Sequence, residues 1–169
     1  NVVVPNADLK PEYVNNFELS FNYILKPLKI QVQIFNSQIT NAINREYGLF
    51  NGSDSILYDG EIMRVQMNKN ITQANINGVH FSVDFNANDH LLMQGSCNYL
   101  SGLKNGSIPL SHIPPLNAKF SIDYKMRSHT FNFYTNYNSW KYIEDYDDLG
   151  VDNIDEATEE GNPSWYTLN

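Results

Sequence analysis

Residues 17–35, FELSFNYILKPLKIQVQIF, decide how the rest of the chain is read. Apolar side chains alternate with polar ones through Phe17, Leu19, Phe21, Tyr23 and Leu25, and again through Leu28, Ile30, Val32 and Ile34. A period of two is the signature of a strand with two unlike faces. Only Lys26 and Pro27 separate the two runs, so together they form a hairpin. What the greasy side of that hairpin meets, whether a partner sheet, a packed core or lipid, is the question the remaining sequence has to answer.

The same alternation recurs along the chain. Full segments fall at about 15–25, 28–43, 74–85, 91–100, 117–126 and 130–142, and a seventh begins at "SWYTLN". In the third, Val79, Phe81, Val83 and Phe85 share a face; in the fifth, Ala118, Phe120, Ile122, Tyr124 and Met126 oppose Lys119, Ser121, Asp123 and Lys125. None sustains a 3.6-residue period, which predicts very little helix. The connections run short, long, short, long, short, long. Lys26-Pro27, "NANDH" (86–90) and "RSH" (127–129) are tight turns, whereas 44–73, 101–116 and 143–164 are long polar loops. In an up-and-down meander this puts every tight turn at one end of the sheet and every large loop at the other, the pattern of an outer-membrane barrel. Segment length agrees, since a tilted membrane strand needs about 9–11 residues and a strand in a soluble protein usually has about 5–6.

Composition is compatible with that reading. The 169 residues are 41% hydrophobic and 13% aromatic, with 11 Tyr and 9 Phe, which favours strands. A mean hydropathy of -0.44 and the lack of a long apolar run exclude a transmembrane helix but not a barrel, whose strands average out as polar. The single cysteine, Cys97, rules out an internal disulfide framework. Asn1, with no initiator Met, basic region or apolar leader, reads as a cut end.

The net charge of -8 is concentrated in 144–160, EDYDDLGVDNIDEATEE, which holds nine acids and no base. Removing those nine from the 19 acids leaves ten against 11 bases, so the rest is near neutral and offers no basic patch for nucleic acid. The acidic run reads as a solvated loop rather than an EF-hand calcium site. Aromatic residues gather where strands meet the long loops. Tyr137, Trp140 and Tyr142 lie at the end of the sixth segment and Trp165 and Tyr166 at the start of the seventh, as an interfacial girdle requires.

At the loop-to-strand boundaries the sequence resembles the TonB-dependent receptors of Gram-negative outer membranes, in the form common in Bacteroidetes-type bacteria. "NADLKPEYVNNFELSF" is similar to the family's strand-start signature through Asn6, Leu9, Lys10, Pro11, Glu12, Phe17, Glu18 and Leu19. "IFNSQITNAI" (Phe35, Ile39, Ile43) and "ANINGV" (Asn75, Ile76, Gly78) resemble the next two strands. "PLSHIPP" (Pro109, Leu110, Ile113, Pro114, Pro115) and "GNPSWYTLN" (Gly161, Pro163, Trp165, Tyr166, Leu168, Asn169) resemble later loop-to-strand junctions. His80 stands where the family often has Glu.

The resemblance implies an all-β, antiparallel up-and-down meander that is a segment of a transmembrane β-barrel. Residues 1–169 would form about six full strands plus the start of a seventh, from the C-terminal third. The plug domain, the TonB-contact segment and the final strands of a barrel of about 22 strands are absent. It implies an outer-membrane location, lipid around the wall, contact with the TonB complex through the absent plug, and a small scarce nutrient as ligand, such as an iron-siderophore, haem or corrinoid. It implies neither covalent chemistry nor a cofactor. The residues agree, because His80, His90, His112 and His129 are scattered and no Gly-x-Ser-x-Gly motif occurs. Candidate ligand contacts lie in the long loops, at Tyr47, Phe50, Tyr58, Asp147 and Asp148. The two Asn-Gly-Ser triplets at 51–53 and 105–107 read as turns. The rival reading is a soluble β-sandwich or small-barrel binding module, which requires the Phe17, Leu19 and Phe21 row to be sealed against a second layer.

Overall fold

The computed structural model describes residues 1–147 and 154–169, with nothing stated of the Asp155 side chain. The first strands are β1 (Val2–Val4), β2 (Tyr13–Leu25), β3 (Leu28–Thr40), β4 (Ile43–Tyr47), β5 (Ser55–Tyr58), β6 (Glu61–Asn70) and β7 (Gln73–Asn88). They are followed by β8 (Leu91–Lys104), β9 (Ile108–Pro109), β10 (Asn117–Met126), β11 (His129–Asn138), β12 (Lys141–Tyr142), β13 (Gly161–Asn162) and β14 (Trp165–Leu168). Two single 3-10 turns, Ile143–Asp145 and Ile154–Glu156, are the helical content among the described residues.

The main sheet runs β2-β3-β7-β8-β10-β11-β14, every neighbour antiparallel and consecutive along the wall, with the short β9 paired to β8. This is the expected meander, and its seven wall strands correspond to the seven alternating segments. Tight turns at Lys26-Pro27, Asp89-His90 and Arg127-Ser128 share one end. Three long crossovers (41–72, 105–116 and 139–164) share the other.

Register fixes which side chains share a face, because directly paired residues point the same way. One row runs Leu19, Ile34, Val79, Tyr99 and the next Phe21, Val32, Phe81, Cys97, Ala118, Tyr137, Tyr166. Nothing among the described residues covers this apolar face: Phe17 is 61% exposed, Leu19 72% and Phe21 59%. The sealed second layer demanded by a soluble sandwich is not there. The opposite face is polar and laced with hydrogen bonds. His80 Nδ1 and Asn98 Oδ1 are 2.6 Å apart, Asn98 donates to Asn117 at 2.9 Å, Gln94 to Asp84 at 3.0 Å and Asn132 to Asp123 at 2.6 Å.

The buried core lies at the loop end rather than in the wall. Among the described residues Val4, Ala42, Val65, Ala74 and Tyr146 are the buried apolar ones. Here the sequence expectation of a long polar loop at 44–73 is corrected. The first crossover carries β4, β5 and β6, which form a sheet with β1; β1 pairs with β6 in parallel (Val2 with Val65, Val4 with Met67). β4 and β6 carry polar side chains on both faces, so no alternation announces them, and β1 and β5 are too short to show one. The two Asn-Gly turns behave as expected: Asn51, Gly52, Asn105 and Gly106 all take positive φ, between 50° and 83°.

Candidate functional site

The crossovers meet above the polar face at Lys104, the last residue of β8. The register Ile39–Ala74–Lys104 puts it on the polar side, and its side chain is 4% exposed. Its ammonium lies 3.1 Å from both carboxylate oxygens of Asp147 and 3.2 Å from Glu46 Oε1. Ser111 Oγ donates to Asp147 Oδ2 at 2.6 Å. Asp147 is fully buried, a position a carboxylate holds only when paired and hydrogen-bonded.

Next to this cluster the crossovers and the wall border an open cleft of about 390 Å³. Ile39, Ile43, Ile71, Ile76, Leu110 and Ile113 form its apolar sides, and Glu12, Asn44, Arg45, Asn68, Ser111 and His112 its polar ones. The polar wall face turns apolar at this level and is covered by the second crossover. Arg45 Nε is buried without a hydrogen-bond partner, and Glu12 accepts from the Ile43 amide at 3.1 Å. Among the described residues no group of three or more His, Cys, Asp or Glu is placed to hold a metal ion.

The sequence-predicted loop residues are not brought together. Tyr47 closes β4, with the Arg64 guanidinium 3.6 Å above its ring and Lys69 donating to its carbonyl at 2.6 Å. Phe50 flanks the Asn51-Gly52 turn, bridged to Ser53. Tyr58 sits at the β5–β6 turn and is 56% exposed. Asp147 faces inward onto Lys104 instead of outward to solvent. Asp148 lies outside the described residues.

The aromatic set divides by face. Tyr137 and Tyr166 are direct partners on the apolar face, whereas Trp165 pairs with Asn138 and so points to the polar side. Trp140 donates to the Glu160 carbonyl at 3.2 Å and stacks on Tyr142, ring centroids 6.0 Å apart. Sequence reasoning missed Lys104, Glu46 and Ser111. One signal was present, since Lys104 keeps the parity of Asn98, Leu100 and Gly102 and so falls on the polar face, but residues 105–116 that follow it hold no acid to mark its partners.

The sequence matches the TonB dependent receptor-like, beta-barrel family over residues 1–169. No curated protein matches it. Solved structures with the same fold include the copper transporter OprC (TM-score 0.71, 14% identity, 96% of this chain and 23% of that one). The siderophore receptor PirA of Acinetobacter baumannii aligns with TM-score 0.69 and 18% identity over 98% of this chain and 26% of its own. The FrpB iron transporter of Neisseria meningitidis aligns with TM-score 0.63 and 11% identity over 99% and 25%. The chain thus spans about a quarter of the length of these structures.

Proposed function

Because this chain belongs to the TonB-dependent receptor family, matching its β-barrel over residues 1–169, we propose that it is an arc of an outer-membrane wall in a receptor importing a scarce nutrient. One observation carries the reading. A seven-strand meander exposes a continuous apolar face, is polar and hydrogen-bonded on the other, and gathers its long crossovers at one end. An apolar patch of that extent marks contact with another phase or partner. Each Phe or Leu taken from water into hydrocarbon contributes about 1.5–3 kcal/mol. The polar face then lines a wet lumen. Both outer strands, β2 and β14, have an unpaired edge, and further strands of a closed barrel satisfy them.

In this reading the tight-turn end faces the periplasm and the crossovers face outward. Tyr137, Tyr142 and Tyr166, with Trp140, sit at the outer interface. The nutrient is a metal chelate such as an iron-siderophore, haem or a corrinoid; the similar folds of copper and iron transporters support a metal-bearing ligand. Tyr47, Phe50 and Tyr58 are candidate contacts on the crossovers, and the acids of 144–160 other than the Lys104-paired Asp147, Asp148 among them, attract cationic ligands by their field. Energised release runs through TonB and a plug domain.

The test is uptake by a Gram-negative host with and without the full-length receptor, supplied singly with iron-siderophores, haem or a corrinoid. Loss of one uptake activity on deletion supports the reading. Unchanged uptake of all three contradicts it. Neutralising the acids of 144–160 other than Asp147 lowers uptake of a cationic chelate if their field matters; unchanged uptake removes that role.

A further inference from the structure

We propose that Lys104 is a positioning residue whose ammonium ties the three crossovers into one body seated inside the barrel mouth. The inference rests on the reading above only in taking the polar face as the lumen side. An ammonium has three N–H donors, and here its partners are two oxygens of Asp147 and one of Glu46. Glu46 belongs to the first crossover, Asp147 to the third, and Ser111, which donates to Asp147, to the second. Lys104 itself ends β8, a wall strand paired along its length with β7. One buried cation therefore links all three loops to the wall.

A second contact fixes where that body sits. Gly102 is two residues before Lys104 and on the same face. A Cβ there would come within 2.6 Å of Ile113 Cδ1 and 3.2 Å of Leu110 Cδ1, so the second crossover rests directly on wall backbone. The crossover folds inward across the mouth instead of splaying away. Departure of any one partner leaves a desolvated charge behind, and removing one member of a buried pair is far costlier than never having built it. The crossovers consequently open together or not at all.

Hydrogen exchange of the full-length receptor in lipid nanodiscs tests this. Lys104→Met should speed exchange at least about tenfold in peptides covering 43–47, 105–116 and 141–147 together, with the β7–β8 wall unchanged. Lys104→Arg, which keeps the charge, should retain protection in all three. Ser111→Ala should loosen 105–116 alone. Faster exchange in only one crossover for Lys104→Met, no change in any, or an Arg variant behaving like the Met variant would overturn the proposal. If Lys104→Met yields no folded barrel, Asp147→Asn decides. It should loosen the first two crossovers as well as its own, and protection unchanged in those two overturns the clamp. Exchange is read without any nutrient, so a failed uptake experiment and a failed clamp are distinguishable.

Discussion

The ring of Phe35 packs against Gly78, its direct partner on the neighbouring strand, and fills the space where a Cβ would stand. Leu100 closes the other side, its Cδ2 2.8 Å from that position. A side chain at 78 must displace an aromatic ring on the polar face. Gly78→Val should destabilise the barrel by about 1–3 kcal/mol, whereas Gly95→Ala, which meets only Val83 Cγ1 at 3.3 Å, should cost less than about 1 kcal/mol. Unfolding midpoints of the full-length receptor in detergent with added urea check both. Equal losses would show that the Phe35 contact contributes nothing.

The side-chain ladder across the polar face makes a smaller prediction. Asn98 bridges His80 and Asn117. With water at hand, removing it strands no desolvated group, so Asn98→Ala should cost only about 0.5–1.5 kcal/mol. The same urea titration reads it, and a loss above that range would mean that this face is dry.

Arg64 over Tyr47 pins the first crossover's sheet by a contact between a guanidinium and an aromatic face. Arg64→Ala should lose about 0.5–1 kcal/mol of local stability. Faster amide exchange in 43–47, with the wall strands unaltered, is the expected observation. Exchange identical to that of the parent protein would leave the contact without energetic weight.

Charge placed on the two faces should have opposite consequences. Phe81→Arg puts a guanidinium in the apolar row and should cost about 2–4 kcal/mol if that row lies at mid-membrane, while Ser82→Arg on the next residue should be tolerated. Folding yield into lipid vesicles compares the pair, and equal tolerance would contradict the assignment of faces.

Much of the wall was legible in the sequence because alternation is strongest where one face meets an apolar phase and the other water. The hairpin at 17–35 pairs Leu19 with Ile34 and Phe21 with Val32, as its pattern requires. The signal fades where that contrast fades. β8 continues past Tyr99 to Lys104 through Ser101 and Gly102, beyond the apolar band. β4 and β6 read as loop because "INREY" and "MRVQMNKN" put polar groups on both sides, and β1 is three residues whose partner is more than sixty positions away. Trp165 was grouped with Tyr166 by proximity, although adjacent residues in a strand face opposite ways. The Lys104–Asp147 pair joins residues 43 positions apart, and only the folding of two crossovers brings them together.

A nitroxide scan along 79–84 of β7, in the full-length receptor with Cys97 replaced by Ser and reconstituted in lipid, tests the wall most directly. Collision with dissolved oxygen should peak at Val79, Phe81 and Val83, and collision with a water-soluble nickel chelate at His80, Ser82 and Asp84. That two-residue oscillation, in opposite phase for the two probes, is what a strand between hydrocarbon and lumen produces. Access without alternation, or a Phe81 row shielded from both probes, would mean that protein rather than lipid covers the apolar face.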